Sequence, residues 1–143
     1  MNVLFVCGGN TCRSPMAAAI FQHESGGRHE VRSCGVSADR GSRATPEAMD
    51  ALRPLGLSLE AHRSSPLQPG ILDWANVVVA LDEQGSTARG VLRALPYGRW
   101  FEVWHIDDPM GDGPPEYAKA RDAIVALVRG LLSRVEGVAA SAR

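Results

Sequence analysis

Short apolar runs recur along the chain, and each is followed by a stretch of helical periodicity. Val3-Leu-Phe-Val6 lies within residues 2–7, is unbroken and of strand length, and predicts a buried strand. Residues 15–25 then predict a helix, with Ser14 as its N-cap, Pro15 at its first position and Gly26-Gly27 as its stop. Residues 30–36 alternate weakly and predict a second strand, and the polar, glycine-bearing residues 37–44 predict a loop. Thr45-Pro46-Glu47-Ala48 opens a helix that runs to about Leu55 and stops at Gly56. Leu57 and Leu59 alternate with Ser58 and Glu60 as a short extended piece, residues 61–66 form a turn, and residues 69–75 form a short helix. Residues 76–81, the most strand-like run, predict a central strand, and residues 83–94 a helix. Trp100 to Ile106 alternates as a fourth strand whose tryptophans serve packing. A long amphipathic helix follows from Glu116 to about Val135, with Ala120, Ile124, Leu127, Val128, Leu131 and Leu132 on one stripe. From Gly137 onward the chain is expected to fray.

Four strands alternating with helices predict an α/β three-layer sandwich around a parallel sheet of order 2-1-3-4, a small relative of the flavodoxin arrangement. At 143 residues, with no repeat and no linker, residues 1–143 read as a single domain. Ligands of open parallel sheets bind at the carboxyl edge of the strands. Cys7, Asp82 and the loop after the fourth strand all fall at that edge.

The junction of the first strand and first helix carries the chemistry. Cys7-Gly8-Gly9-Asn10-Thr11-Cys12-Arg13-Ser14-Pro15 joins a buried strand to a helix N-terminus through a tight loop. Such a junction points backbone N–H groups and the positive end of a helix dipole into one cup suited to an anion. Those dipoles and the Arg13 guanidinium favour a thiolate at Cys7, a nucleophile aimed at phosphorus. Arg13 offers a planar fork for two phosphate oxygens. Ser14 can hydrogen-bond the sulfur as it leaves phosphorus, and the Asn10 amide can pin the loop. The Gly-x4-Gly-Lys-Ser/Thr pattern is absent, which argues against a nucleotide-binding loop.

A net charge of −1 provides no bulk basic surface for nucleic acid or for a membrane. No apolar run is long enough to span a bilayer, and the N-terminus lacks a signal-peptide pattern, so a cytoplasmic location is expected. The three cysteines, Cys7, Cys12 and Cys34, suit a reducing compartment. Cys12 is either the partner of Cys7 in a reversible intraloop disulfide or a small apolar packing residue. No metal-ligand spacing is present, and neither a metal nor a cofactor is expected. His23 and His29 read as solvated or C-terminal-turn histidines.

The Cys7–Pro15 loop resembles the signature of the low-molecular-weight protein tyrosine phosphatases, a family that includes bacterial protein-arginine phosphatases and related arsenate reductases. The resemblance spans nearly the whole chain and implies a cysteinyl-phosphate mechanism acting on a phosphorylated protein, with residues 8–14 holding the phosphate. It implies a general acid at Asp108 of Asp108-Pro109, with Asp107 and Asp112 as alternatives. It also places His62 where family members support the loop asparagine, although a surface turn histidine is an equal reading, and Asp82 where they buttress the loop. Tyrosine-directed members carry aromatics after Asp-Pro and often in the second-strand loop. This chain has Met110-Gly111 and no aromatic in residues 37–44. Thr11 stands where tyrosine enzymes usually have a branched aliphatic, as in the arginine phosphatases, and the segments 44–48 and 64–66 resemble that branch too. The expectation is therefore a phosphatase leaning to phosphoarginine, with a tyrosine phosphatase or an arsenate reductase using an external thiol as alternatives. Oligomeric state is left open.

Overall fold

The buried strands account for the architecture. In the computed structural model, which describes residues 1–141, strand β1 (Asn2–Cys7) lies between β2 (Glu30–Gly35) and β3 (Val77–Asp82), and β4 (Trp100–His105) closes the far edge. The order is β2-β1-β3-β4 and every pairing is parallel, as expected. Val3 sits opposite both Val31 and Val77, so the three strands share one register. Residues 3–7 and 77–82 are buried throughout, which is why these runs are continuous rather than alternating.

The period of two along each strand divides the core. Val3, Phe5, Val77, Val79 and Leu81 face helices α1 (Arg13–Glu24) and α5 (Pro114–Ser141), where Ile20, Phe21, Ile124, Val128 and Leu131 meet them. Leu4, Val6 and Val78 face the other way, toward Leu72 of α3 (Pro69–Trp74) and Val91 of α4 (Ser86–Leu92). Helix α2 (Pro46–Leu52) adds Ala48 and Leu52 to the first layer. Trp104 packs on Phe5 with ring centroids 5.6 Å apart, and the indole N–H groups of Trp100 and Trp104 both donate to Glu102. The tryptophans thus serve packing, as read from the sequence.

Several expectations are corrected. Helix α2 ends at Leu52 and passes into a 3-10 turn over Arg53–Leu55 before Gly56 turns left-handed at φ 74°. The expected extended piece at residues 57–60 is not among them: residues 57–59 form no helix, and Leu57 and Leu59 pack on the core. Helix α4 begins three residues later than position 83, because the Asp82 carboxylate takes the N–H groups of Gln84 and Gly85, and Gly85 turns left-handed at φ 90°. Helix α5 does not fray at Gly137 but continues to Ser141. Val135 is fully buried, Arg28 pairs with Glu136 of this helix, and Arg129 of this helix pairs with Glu24 of α1. On the α5 stripe, Leu127 is exposed, and Tyr117 and Val135 extend the buried row instead. His23 is exposed, but His29 is buried against Phe21, with Nδ1 3.0 Å from the Met1 amino nitrogen and Nε2 3.4 Å from Glu136. Among the described residues no helix is long and apolar enough to cross a membrane, and no cluster of ligand side chains could hold a metal ion.

Candidate active site

The carboxyl edge of the sheet brings together three segments distant in sequence: the loop after β1, the end of β3 and the loop after β4. Cys7 is the last residue of β1 and is buried, with Sγ 2.9 Å from Ser14 Oγ. The following loop turns its carbonyls outward to donors. Val36 N–H donates to the Cys7 carbonyl (3.0 Å), Ser37 N–H to Gly8 (3.0 Å), Thr45 N–H to Thr11 (2.9 Å) and Met16 N–H to Cys12 (3.1 Å). His62 Nε2 lies 2.7 Å from the Asn10 carbonyl. Among the described residues no peptide is cis, so the N–H that follows each of these carbonyls faces away from that carbonyl's donor. The N–H groups of Gly8, Gly9, Thr11, Cys12 and Arg13 therefore line a cup.

Asn10 is the keystone of that loop. Among the described residues it is the one non-glycine residue with positive φ, at 56°, a conformation that asparagine adopts more readily than most. Its side chain holds it there. Nδ2 donates to Ser14 Oγ (2.8 Å) and Ser33 Oγ (3.0 Å), and Oδ1 accepts from Ser65 N–H (2.9 Å). The loop also lies tightly against β2. A Cβ at Gly35 would overlap the Gly8 carbonyl oxygen and approach Asn10 N to 3.0 Å.

Ser14 is not the helix cap expected from the sequence. Helix α1 begins at Arg13, with Cys12 in the capping position and no side-chain cap bond. The Ser14 hydroxyl is fully buried and committed to Cys7 and Asn10 instead. Arg13 is 8% exposed, and its Nη1 donates to the Ile106 carbonyl at 2.9 Å. Its Nη2 lies 3.7 Å from Asp108 Oδ2, so the guanidinium spans the site from the first loop to the last. Among the described residues, Asp108 is the acid of that loop paired with Arg13. Its carboxylate is exposed, its N–H donates to Glu83 at 3.3 Å, and its Oδ1 accepts the Met110 N–H at 3.1 Å.

Asp82 is buried at the end of β3, but its hydrogen bonds go to the start of α4, from Gln84, Gly85 and Ala88 N–H at 3.1, 3.0 and 2.9 Å. Burial pushes its carboxyl upward, and these three N–H donors together with the Arg13 charge outweigh that and leave it below its ordinary value. Its link to the phosphate-type cup is thus the field it shares with Arg13. Cys12 and Cys34 are buried thiols, each pushed up to about 12 by burial, and all three cysteines are free. Sequence reasoning missed Ser33, Gly35, Ser65, Glu83 and the Ile106 carbonyl. Each acts through a neighbour remote in sequence, and no local pattern marks it.

A sulfur, an arginine fork and a cup of N–H groups suit a tetrahedral oxyanion, and a carboxylate across the guanidinium suits proton transfer. Comparison with known proteins agrees. The model of the low molecular weight phosphotyrosine protein phosphatases matches residues 2–140. A protein-arginine-phosphatase of Geobacillus stearothermophilus is 38% identical, covering 94% of this chain and 95% of that protein. Arsenate reductase 2 of Staphylococcus haemolyticus is 30% identical, covering 92% and 96%. The crystal structure of a low molecular weight protein tyrosine phosphatase from T. tengcongensis superposes with a TM-score of 0.87 at 32% identity, covering 94% and 99%. The sheet order, the loop at Cys7 and the match over residues 2–140 together place this chain in the low-molecular-weight protein tyrosine phosphatase family.

Proposed function

We propose that this protein hydrolyses phosphorylated proteins through a cysteinyl-phosphate, with a preference for phosphoarginine. The observation that carries the chemistry is the convergence of Cys7, Ser14, Arg13 and Asp108 at one sheet edge, with Sγ to Oγ at 2.9 Å and guanidinium to carboxylate at 3.7 Å. Cys7 Sγ attacks phosphorus and forms the S–P bond as the bond to the leaving group breaks. Asp108 delivers its proton to that leaving group. Arg13 and the cup N–H groups hold the three equatorial oxygens and carry the charge of the transition state. In the second step Asp108 takes a proton from water, the water oxygen bonds phosphorus, and the S–P bond breaks. The Ser14 O–H then stabilises the departing sulfur. His62 and Asn10 keep the loop in shape, and Asp82 steadies Arg13 electrostatically.

Three features support phosphoarginine. Thr11 is partly exposed on the cup wall and presents a hydroxyl to a polar leaving group. Met110, 53% exposed beside Asp108, stands where an aromatic clamp would hold a phenyl ring. The arginine phosphatase relative is more similar over the chain than the arsenate reductase relative. A site with polar partners rejects an aryl group that leaves them unpaired. Arsenate reduction within one chain needs accessible resolving thiols, and Cys12 and Cys34 are buried with no cysteine after them. Three free thiols suit a reducing cytoplasm.

Matched phosphoarginine and phosphotyrosine peptides test the preference. The expected result is a higher kcat/KM for phosphoarginine that collapses in Thr11→Ile. A phosphotyrosine preference indifferent to Thr11 would return the protein to the tyrosine-directed branch.

A further inference from the structure

Asp108 is restrained along its backbone as well as at its carboxyl. Pro109 follows it and is buried, which keeps the Asp108 backbone off helical geometry on its carbonyl side. The Met110 N–H donates to Oδ1 at 3.1 Å, and Oδ2 is left toward Arg13, 3.7 Å from Nη2. On the amino side, the Asp108 N–H donates to Glu83 Oε2 at 3.3 Å. Among the described residues this is the one hydrogen bond from the backbone of residues 107–112 to another part of the fold. Glu83 reaches it because β3 and β4 end side by side, with Asp82 opposite His105, so the turn after β3 and the acid loop leave the sheet as neighbours. That turn is itself fixed, since the buried Asp82 carboxylate accepts the N–H groups of Gln84, Gly85 and Ala88 at 3.1, 3.0 and 2.9 Å. Glu83 thus stands on a rigid corner and holds the amino side of the acid.

We propose that Glu83 is a positioning residue for proton transfer: by holding the Asp108 N–H it fixes the peptide from which the carboxyl projects, and so aims Oδ2 at the leaving group. The inference rests on the reading of Asp108 as the proton donor. With Oδ1 engaged by Met110, Oδ2 carries the proton that passes to the leaving nitrogen or oxygen as its bond to phosphorus breaks. A misaimed carboxyl slows that step. Phosphate binding is spared, because the cup is held by Ser33, Ser65 and His62 through Asn10.

Glu83→Ala removes the acceptor, and Glu83→Gln keeps one. The readout is kcat/KM on the faster of the phosphoarginine and phosphotyrosine peptides, set against nitrophenyl phosphate, whose leaving group departs without a proton. Glu83→Ala should lower the peptide value about fivefold, the weight of one hydrogen bond, and leave the nitrophenyl value and the inhibition constant of inorganic phosphate within about twofold. Glu83→Gln should restore the peptide value. In an Asp108→Asn background, Glu83→Ala should cost nothing further, because both changes act on the same proton. No loss in Glu83→Ala, an equal loss on both substrates, or a loss that adds to that of Asp108→Asn overturns the inference. So does a glutamine variant as slow as the alanine one. Should Asp108→Asn itself keep full activity, or should neither peptide turn over, the reading of Asp108 has failed, and backbone order parameters of Met110 and Gly111 then decide. Values that fall in Glu83→Ala and recover in Glu83→Gln support the anchor, and unchanged values reject it.

Discussion

The two loops that face each other across Arg13 are built in opposite ways. The Cys7–Ser14 loop is buried at Asn10, Cys12, Arg13 and Ser14, pinned by side chains from Ser33 and His62, and pressed against Gly35. The Asp108 loop carries prolines and glycines, exposes its carboxylate and Met110, and is tied down by a 3.7 Å ion pair and a 3.3 Å bond to Glu83. The difference fits the roles proposed for each. Stabilising charge on a transferring phosphoryl group requires dipoles already in place, since reorganising them would cost the energy they supply. Delivering a proton and then accepting one requires a carboxyl that reaches both a leaving group and a water. A fixed cup opposite a lightly held acid meets both needs.

Four measurements break or sharpen that contrast. The largest effect is expected from Cys7→Ser, which should lower turnover by about four orders of magnitude or more while phosphate still binds the intact cup. Retained turnover would remove the covalent step. Asp108→Asn should lower kcat by about 10²–10³-fold with little change in phosphate affinity, and should cost less with a nitrophenyl leaving group that departs without a proton. Comparable losses in kcat and in phosphate binding would mean that Asp108 helps build the cup.

Stability separates the same two regions. Gly35→Ala forces a methyl against the Gly8 carbonyl and should destabilise by about 1–3 kcal/mol in urea unfolding. Met110→Ala in the acid loop should change stability by less than about 0.5 kcal/mol. Equal values for the two would erase the distinction between a packed and a lightly held loop. The smallest effect concerns acid. Asp82 titrates lower in the folded chain than its ordinary 3.8, because its three backbone donors outweigh its burial. Its ionic contribution is thus complete above about that value and is lost as pH falls through the lowered one. Asp82→Asn should flatten the stability–pH curve below about pH 4, measured by urea unfolding between about pH 2 and pH 6.

The legible parts of this protein are those set by neighbours in sequence. Continuous apolar runs such as residues 77–81 declare buried strands because both their faces must leave water. Cys7, the loop glycines, Arg13 and Ser14 declare an oxyanion cup because their spacing joins a strand to a helix N-terminus. Asp108 was named through the resemblance of Asp108-Pro109 to the family's Asp-Pro loop, and the structure sets its carboxylate 3.7 Å from Arg13. The misread parts depend on partners far along the chain. Ser14 looked like a cap, yet Cys7 and Asn10 claim its hydroxyl. His29 looked solvated, yet Phe21 and the chain terminus bury it. Gly137 looked like the point where α5 frays, yet the helix continues to Ser141 beyond the buried Val135.

The sequence by itself determined the sheet, its order and the candidate reactive groups, since strand burial, helix starts and the Cys7–Pro15 spacing are all local. Tertiary structure alone decided which groups meet. It set Arg13 against Ile106 and Asp108, His62 against Asn10, and Asn10 against Ser33 and Ser65. Those meetings depend on how helices and strands from opposite ends of the chain pack into one core. Packing is a property of all the side chains at once, which no local spacing encodes.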